Sequence, residues 1–422
     1  MIKTIFIAAC IVIVAAATGC GSGDDNACAK KLYNSPSMVV SGNNIYISYY
    51  AKNKYTDTAA STCTESSKNY DLIYSVSNDG GNSWTKKTVV TELLPPSGVI
   101  GLSTQNIAVN STGSNIYISY IDGSTLKCAY STDSGSTFTS VTVDSSYSTS
   151  NQSMIINGSG TLYIAYNAYL PTAAINTSVL NVATSSNSGA TWTTATADGT
   201  ANTGFSPSLA VDSTNCVHIT YYYPEPTGGI RYATNTSGSW ATLDVKTNDG
   251  TMSGLFNSIV VPPGNTAYAS YYNPGGYTLG SAGEYLENTN GTIEFAKSVG
   301  PVTYTSVDST ASTGKAVSAD ISGNNIYISY GYYDSAASKN ELRFAKSTNG
   351  GSSFTVSSTT IDTDIATTTS TSGVVYLSSC LRVYTLNSVA TVYVVYVTSS
   401  GTALKFAKST DGGNSWSKKT LV

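Results

Sequence analysis

Histidine is nearly absent among the side chains of this sequence that could do chemistry, whereas carboxylates and tyrosines are plentiful. His218 is the only histidine, so a Ser/His/Asp triad would have to use it. In Val217-His218-Ile219-Thr220-Tyr221 it stands where Tyr46 and Tyr117 stand in two similar segments. A position that is aromatic in each copy is typical of packing. We therefore expect His218 to be structural.

Acidic side chains could support the hydrolysis of a glycosidic bond. That reaction needs two carboxylates facing each other across a cleft, one of them with a raised pKa. No local motif selects such a pair, and surface acids are usually only solvated. A glycoside hydrolase is therefore the alternative function, and two loop carboxylates within about 5–10 Å of each other would favour it. The candidates in predicted loops are Asp57, Glu65, Asp122, Glu225, Glu284, Glu287 and Asp334.

Tyrosine is unusually frequent, with 32 residues, and often occurs in pairs or triples at the ends of β-like segments. An aromatic face with a polar tip suits sugar rings and peptide segments. We expect the first tyrosine of each set to fill internal interfaces. The remaining tyrosines and nearby acids predict a non-catalytic site for a glycan or cell-surface polymer, with a protein partner as the alternative. The candidate ligand-binding residues are Tyr55, Asp122, Tyr169, Tyr223, Glu225, Tyr277, Glu284, Tyr285, Tyr333 and Asp334.

A repeated stretch, here called the box, organises the chain that must position these residues. Its pattern is Ser-x-Asp-x-Gly-x-Ser/Thr-Trp/Phe, and each copy lies between two β-like runs, which predicts a β-hairpin. Asp or Asn can bond downstream backbone N–H groups, Gly takes positive φ, and the aromatic residue covers the loop. The copies are residues 77–84, 131–138, 185–192, 347–354 and 409–416, a shorter copy at 234–240 and an eroded one at 298–304.

A second repeated segment gives the architecture. The sequence Asn-Ile-Tyr-Ile-Ser-Tyr at residues 44–49 returns at 115–120 and 325–330, and more loosely at 161–166, 217–221, 267–271 and 392–396. Seven such segments match seven boxes, at a period of roughly 50–60 residues that is typical of a β-propeller. We predict an all-β chain with a single propeller of seven four-stranded blades, closed by whole blades. Six blades is the alternative, and residues 29–33 could add a strand to the last blade.

The box resembles the Asp-box, or bacterial neuraminidase repeat, of sialidase-like β-propellers, across nearly the whole chain. The resemblance implies a structural hairpin between the third and fourth strands, on the face away from the ligand. It implies that ligands bind at the opposite face, formed by the loops between second and third strands and by the links between blades. The structural box residues that it implies are Asp79, Trp84, Asp133, Phe138, Asn187, Trp192, Trp240, Asn349, Phe354, Asp411 and Trp416.

The resemblance makes a sialidase the first enzyme to consider. Such an enzyme needs three arginines that converge on the substrate carboxylate, a tyrosine nucleophile and an acid/base Asp. The aromatic-Arg-Ile-Pro motif is missing before the first blade, where Ser35-Pro36-Ser37 stands. The only arginines are Arg231, Arg343 and Arg382. We assign no arginine triad and no catalytic residue.

The first two arginines share one position of the repeat with residues of either charge. Lys127, Glu294 and Lys405 stand at this position in other repeats. A position that accepts either sign predicts a solvated strand residue.

Charge and cysteine spacing narrow the classes of partner. The chain has 21 Lys and Arg against 25 Asp and Glu, a net charge of −4, and no basic run, which argues against nucleic acid. The spacing of the cysteines matches no zinc or haem motif, and we predict neither a cofactor nor a metal.

The N-terminal sequence predicts where in the cell the protein is located. Lys3 precedes an apolar run at residues 5–17 that is too short to span a bilayer. Ala17-Thr18-Gly19-Cys20 then resembles the end of a bacterial lipoprotein signal. We predict a signal peptide at 1–19, lipidation of Cys20, a tether over 20–33 and the propeller over 34–422. In Gram-negative lipoproteins, Gly21 in place of Asp implies the outer membrane, either on its periplasmic side or at the cell surface.

The five cysteines that follow Cys20 are Cys28, Cys63, Cys128, Cys216 and Cys380. An odd number leaves at least one thiol free in an oxidising compartment. We expect Cys128, within an apolar strand, to be a buried free thiol. Cys28 could pair with Cys63 or with Cys380, and the sequence does not choose between them.

Overall fold

The computed structural model of the chain contains strands and turns and no helix in the residues it describes. These are residues 32–52, 55–57, 62–64, 70–94, 105–170, 177–223, 228–247, 253–275, 277–279, 285–287, 291–297, 302–310, 313–334, 336–365, 379–399 and 401–422. Within these ranges, there is accordingly no apolar helix of membrane-spanning length.

The described strands follow one another with short turns and a few longer loops. In chain order they are β1 (Leu32–Ser41), β2 (Asn44–Lys52), β3 (Tyr55–Asp57), β4 (Thr62–Thr64), β5 (Tyr70–Ser77), β6 (Thr85–Leu93), β7 (Asn106–Val109), β8 (Ile116–Asp122), β9 (Thr125–Ser131), β10 (Thr139–Asp144), β11 (Ser148–Ile156), β12 (Leu162–Leu170), β13 (Thr177–Ser185), β14 (Thr193–Asp198), β15 (Phe205–Val211) and β16 (Val217–Tyr223). They continue as β17 (Gly229–Thr234), β18 (Ala241–Thr247), β19 (Leu255–Val260), β20 (Tyr268–Asn273), β21 (Tyr277–Leu279), β22 (Tyr285–Glu287), β23 (Thr292–Lys297), β24 (Thr303–Asp308), β25 (Thr313–Ser322), β26 (Asn325–Asp334), β27 (Lys339–Ser347), β28 (Thr355–Val356), β29 (Ser379–Leu386), β30 (Val389–Val397), β31 (Leu404–Ser409) and β32 (Ser417–Thr420).

These strands form seven four-stranded antiparallel blades, which confirms the predicted seven-bladed propeller. Blades 1 to 7 are β1-β2-β5-β6, β7-β8-β9-β10, β11-β12-β13-β14, β15-β16-β17-β18, β19-β20-β23-β24, β25-β26-β27-β28 and β29-β30-β31-β32. Each blade consists of consecutive strands, so the ring closes by whole blades, as predicted. Two extra hairpins, β3-β4 and β21-β22, lie between the second and third strands of blades 1 and 5.

Residues 29–33 do not add to the last blade where the structure describes them. Leu32 and Tyr33 pair with Lys52 and Ala51 and so lengthen the first strand of blade 1. The innermost strand therefore begins two residues before the predicted propeller boundary at residue 34. The reason is that β2 continues past Tyr50 and offers backbone partners to the incoming chain.

The second strands are buried on both faces because each blade is covered by a blade on either side. Ile116–Tyr120 in β8 and Val217–Tyr223 in β16 consist of buried residues. His218 is 1% exposed, which confirms its predicted packing position. This burial is why these segments are apolar without strict alternation.

A ring of side chains joins the innermost strands around the central channel. In blades 1 to 6 a short polar side chain accepts a hydrogen bond from a backbone N–H of the next blade. The hydroxyl of Ser37 accepts from the N–H of Ile107, and that of Ser153 accepts from the N–H of Leu209. The hydroxyl of Ser318 accepts from the N–H of Leu381 at 2.9 Å. These bonds cover the strand edges that would otherwise stay unpaired. In blade 7 the position is Cys380, whose Sγ lies 3.9 Å from the carbonyl of Met38.

The free thiols follow from this packing. Cys128 is fully buried and free, as predicted, and burial raises its pKa to about 12. Cys380 is also buried and free, so it does not pair with Cys28. Cys216 is a half-buried free thiol. Cys28 and the side chain of Cys63 lie outside the described residues.

The strand order sorts the loops onto two faces. The boxes join third to fourth strands and lie with the turns between first and second strands, on what we call the box face. The blade links and the loops between second and third strands lie on the opposite side, the loop face. Both extra hairpins belong to the loop face.

The box carboxylates accept hydrogen bonds from residues of their own loops. Asp79 accepts hydrogen bonds from the Ser77 hydroxyl and from both the N–H and hydroxyl of Ser83, at 2.6–2.8 Å. Asp133 and Asp411 make the same set of bonds, and Asn187 and Asn349 bind the corresponding residues of their loops. Hydrogen bonds from Thr137 and Ser131 lower the pKa of Asp133 to about 2.

Each well-formed box also contacts the preceding blade. In four of the five, the glycine at the fifth position of the box lies against an aromatic ring of that blade's third strand, and the aromatic residue of the box meets the same ring edge-on. Gly81 and Trp84 do this on Phe406, with ring centroids 5.3 Å apart for the two aromatic residues. Phe138 on Tyr74, Phe354 on Phe295 and Trp416 on Phe344 repeat the contact.

Candidate functional site

The predicted ligand-binding residues that the structure describes lie on the loop face, but they differ in how much of the side chain is available to a ligand. Tyr169 is half-buried at the end of β12, edge-on to Phe205 at 6.1 Å, and burial raises its pKa to about 12. Tyr333 is half-buried at the end of β26. The neighbouring Asp334 accepts hydrogen bonds from the backbone N–H groups of Ala336 and Ala337 and so holds a turn.

Two of the predicted ligand-binding residues already interact with other residues of the protein. Tyr223 is 5% exposed, and the guanidinium of Arg231 lies 4.9 Å from its ring centroid, so it offers no free face to a ligand. Asp122 accepts hydrogen bonds from Lys127 at 2.7 Å and from the backbone of Leu94 at 3.2 Å.

The other predicted residues are placed only by their backbone or not at all. Tyr55 begins hairpin β3-β4, and Tyr277 and Tyr285 begin the two strands of hairpin β21-β22. Glu225 and Glu284 lie outside the described residues, and so do the side chains of these three tyrosines. The structure therefore does not give the separation of the loop carboxylates.

A set of buried charges, which sequence reasoning missed, lies between the blades towards the loop face. We call the interface between consecutive blades a seam and number it by its blades. In seam 3/4, the Tyr221 hydroxyl donates to Asp198 at 2.6 Å. Arg231 bridges Asp198 at 3.1 Å and Asp244 at 2.5 Å.

The hydrogen bonds at Asp198 determine its charge. Burial alone would raise the pKa of this carboxyl, but bonds from Tyr221 and Thr200 outweigh burial and hold the pKa below its usual range. Burial and the adjacent carboxylate move the pKa of Tyr221 far above its ordinary value. The carboxylate is thus the charged partner, and the tyrosine remains a neutral donor.

Seam 5/6 repeats the arrangement with other residues. The Tyr330 hydroxyl donates to Asp308 at 2.8 Å. Arg343 lies 3.7 Å from Asp308, donates to Glu341 at 2.9 Å, and stacks on the Tyr332 ring at 3.4 Å from its centroid. A guanidinium favours both the carboxylate and the aromatic face.

Seam 6/7 uses lysine in place of arginine. The Tyr396 hydroxyl donates to Asp362 at 2.6 Å. Lys405 donates to Asp362 at 3.1 Å and to Asp364 at 3.0 Å, and Lys418 reaches Asp362 at 3.4 Å. One carboxylate therefore serves three donors.

Seam 4/5 reverses the charges. Lys246 stands in the register position of the seam carboxylate, opposite Ile230, and Glu294 stands in the position of the cation, opposite Tyr271. Glu294 accepts from Lys246 at 2.8 Å, from Tyr271 at 2.7 Å and from Asn273 at 2.7 Å. The third-strand charge is thus a paired, half-buried group, and the prediction that it is a solvated residue was wrong. It accepts either sign because its partner across the seam also changes sign.

Seams 2/3 and 1/2 depart from this pattern in different ways. In seam 2/3 the Tyr166 hydroxyl donates to Asp144 at 2.5 Å. The neutral residue Asn181 stands where other seams have the cation. In seam 1/2 the apolar residue Val90, opposite Leu72, stands where other seams have the carboxylate. There Lys127 takes its partner, Asp122, from its own blade.

The three arginines do not converge. Arg231 belongs to seam 3/4 and Arg343 to seam 5/6, each between two carboxylates. Arg382 lies on an innermost strand at the channel, where it donates to the backbone carbonyl of Leu381 at 2.7 Å. Beside it, Asp320 accepts from the backbone N–H of Val383 at 2.7 Å, and burial raises its pKa.

His218 belongs to a buried chain of hydrogen bonds near the box face. Its Nδ1 lies 2.5 Å from the Tyr232 hydroxyl and its Nε2 lies 3.2 Å from Asp212. Burial lowers the pKa of His218, so the neutral form is favoured. Within the described residues, no group of three or more His, Cys, Asp or Glu side chains could hold a metal ion.

The comparisons with known proteins agree with this architecture. No family model matches the chain, and no curated protein sequence matches it. Among solved structures, a polysaccharide lyase of family PL25, an ulvan lyase, matches with a TM-score of 0.61 and 10% identity over 93% of this chain and 97% of the other. A second structure of a PL25 ulvan lyase, bound to -[GlcA(1-4)Rha3S]-, matches with a TM-score of 0.59 and 10% identity over the same shares.

A lectin gives a similar match. The BP39L lectin from Burkholderia pseudomallei has a TM-score of 0.58 and 12% identity over 93% of this chain and 99% of that chain. At these identities the similarity shows the fold alone, a β-propeller matched over nearly its full length.

Proposed function

We propose that this chain is a glycan-binding β-propeller that uses its loop face and performs no catalysis. The observation that carries the proposal is the placement of both extra hairpins on that face. Tyr55, Tyr277 and Tyr285 lie on these hairpins, and Tyr169 and Tyr333 end strands beside the same face. Loops on a rigid scaffold commonly carry the binding residues, and tyrosine suits sugar rings.

The charged groups on the loop side favour binding over catalysis. The paired acids seen there, such as Asp362 with Asp364 around Lys405, are bridged by a cation and bonded to further donors. A general acid needs a raised pKa, but the pKa values of these two acids are lowered, because their hydrogen bonds outweigh burial.

The comparisons support a carbohydrate ligand. A polysaccharide lyase and a lectin share the fold over nearly the whole chain. The lyase also makes a polysaccharide-degrading enzyme the second candidate, with carboxylates of the loop-face segments as its catalysts. A protein partner at the outer membrane is the third candidate.

A glycan-array screen of the purified chain, with sugar release assayed on the same panel, tests this proposal. We expect binding without release, and loss of binding in Tyr333→Ala or Tyr277→Ala. Tyr304→Ala is the matched control, because Tyr304 is half exposed but belongs to the outer strand β24. Release of any sugar would overturn the non-catalytic proposal, and silence in both assays would favour a protein partner.

We also propose that the boxes are Asp-boxes and that lipid on Cys20 anchors the chain at the outer membrane of a Gram-negative cell. The intraloop bonds of Asp79, Asp133 and Asp411 support the first part. The small residues before Cys20 support the second. Incorporation of labelled fatty acid, lost in Cys20→Ser, tests the anchor. An unlabelled wild-type protein found in the soluble fraction would contradict it.

A further inference from the structure

Three cations at the loop end of the seams each contact two carboxylates, although one would balance the charge. These cations are Arg231 in seam 3/4, Arg343 in seam 5/6 and Lys405 in seam 6/7, and the side chain of each is 21% exposed. The first partner of each cation is an almost completely buried carboxylate of the preceding blade. In the same order, these partners are Asp198, Asp308 and Asp362. This partner alone meets the requirement that a buried charge be paired.

The second partner of each cation is closer to solvent than the first. Asp244 lies 2.5 Å from Arg231, and its side chain is 38% exposed. Asp364 lies 3.0 Å from Lys405, and its side chain is 49% exposed. An ion pair at such an exposed position usually adds little to the free energy of unfolding. Stability therefore does not explain the second carboxylate.

The second carboxylates come from three different places in the repeat. Asp244 lies on the fourth strand of the same blade as its cation, and Asp364 lies in the link from blade 6 to blade 7. Glu341 precedes Arg343 by two residues on the third strand and contacts it at 2.9 Å. A residue that only followed the repeat would stand at one position in every blade. Three different positions that supply the same group indicate a requirement of the loop face itself.

These ion pairs determine which ligands the cations can bind. Proteins recognise a carboxylate or sulfate group through a guanidinium or ammonium group whose hydrogen-bond donors are available. Because the second carboxylate is the more exposed partner, it competes with an acidic ligand for the cation. Other charged pairs at this end are Lys127 with Asp122, Lys246 with Glu294 and, opposite each other in the β26-β27 hairpin, Lys339 with Asp334.

We propose that Asp244, Glu341 and Asp364 determine specificity by blocking acidic sugars, and that the loop face binds an uncharged glycan. Aromatic faces and neutral hydrogen bonds hold uncharged sugars, and neither needs a cation. An acidic sugar meets carboxylates that already hold the cations, and like charges repel it. The choice of a glycan rests on the proposed function, whereas the exclusion of acidic groups rests on the ion pairs alone.

The glycan array, scored separately for uncharged and acidic glycans, tests the proposal, with calorimetric titration of a hyaluronan hexasaccharide as the acidic probe. We expect the wild type to bind uncharged glycans only. The double variant Asp244→Asn/Asp364→Asn leaves Arg231 and Lys405 with one carboxylate each. It should bind the hyaluronan probe at least about tenfold more tightly than wild type, because a released cation can make a charge-assisted hydrogen bond. The gain should shrink as the salt concentration rises.

Asp133→Asn/Asp411→Asn is the matched control. It removes the same two charges, but from the box face, and asparagine already stands at this position of the box as Asn187 and Asn349. We expect no gain of acidic glycans in the control. The double variant should also keep nearly the wild-type midpoint of urea unfolding, because its lost ion pairs are exposed.

Three results would overturn the proposal. These are wild-type binding of acidic glycans as tight as that of uncharged ones, no gain in the folded double variant, or an equal gain in the control. Circular dichroism checks each fold, and the single variants Asp244→Asn and Asp364→Asn decide the matter if the double variant fails to fold. Acidic glycans bound by the wild type would contradict this inference but not the glycan function. A wild type that binds no glycan would contradict that function, and the double variant would then decide the role of the carboxylates alone.

Discussion

The box ends and the loop ends of the seams hold neighbouring blades together by different means, and the full loop-end cluster is present in seams 3/4, 4/5, 5/6 and 6/7. At the box end, a glycine and an aromatic residue pack on one ring of the preceding blade, as Gly81 and Trp84 do on Phe406. At the loop end, a tyrosine, a carboxylate and a cation meet in partly buried clusters, and in seam 4/5 the signs of the charges are exchanged.

This difference shows what each end requires of the sequence. A shape constraint admits few residues, because a Cβ on Gly81 would lie 2.5 Å from a Phe406 ring atom. A charge constraint admits any pair of opposite sign. The box end is therefore conserved among the repeats as a short sequence motif. At the loop end only the opposite sign of two charges is kept, and the two residues lie far apart in the chain.

The largest expected effect comes from breaking the box end by shape. Gly81→Ala should lower the free energy of unfolding by about 4 kcal/mol, from overpacking plus a positive φ of 95° that alanine resists. Gly80→Ala, in the same loop with φ of 69° but only Lys408 Nζ nearby at 3.3 Å, should cost about 1 kcal/mol. Urea denaturation measures both. Equal costs would contradict a constraint by shape.

Reversal of one charge in seam 4/5 should have the next largest effect. Glu294→Arg places a second cation beside Lys246, and we expect a loss of about 3 kcal/mol. Adding Lys246→Asp restores the charge order of seam 3/4 and should recover most of the loss. A double-mutant cycle by urea denaturation measures the coupling. A double variant no more stable than the single variant would refute the exchange of signs.

Removal of one seam hydroxyl should have a smaller effect. Tyr221→Phe deletes the hydrogen bond to Asp198 but keeps the ring and the Arg231 pair, and should cost about 1.5 kcal/mol. Tyr333→Phe serves as the control, because that residue is half-buried on the loop face and belongs to no seam cluster. Thermal unfolding compares the two. A null effect of Tyr221→Phe would mean that the cation alone satisfies the carboxylate.

Acidification should destabilise the charge clusters at the loop end of the seams, and this is the smallest of the four expected effects. The pKa values of Asp198 and Asp362 are below the ordinary 3.8, since hydrogen bonds outweigh burial. Their stabilisation is therefore full above that pH and is lost as the pH falls through their folded-state values. The free energy of unfolding, measured by urea from pH 5 downward, should fall less in Asp362→Asn than in wild type. Parallel curves would show that Asp362 contributes nothing to the pH dependence.

The repeats were enough to predict the propeller, its seven blades and the loop that each box occupies. A box is local, so Asp79 and Ser83 meet within one hairpin whatever the rest of the chain does. The buried packing of His218 was also predictable, because its position is aromatic in two other copies. The seam carboxylates were missed, although a signal exists: Asp144, Asp198 and Asp308 each follow an apolar residue at the end of the fourth strand.

The sequence by itself determined the elements, because hairpins and strand periodicity arise from neighbouring residues. Only the tertiary structure decided which side chains are partners. Arg231 and Asp198 are brought together by the packing of one blade on the next, and nothing local marks them as a pair. The same holds for Lys405 and Asp364, which lie far apart in the chain and meet only in seam 6/7. Contacts between distant residues depend on the register and stacking of whole blades, and those are properties of the folded ring.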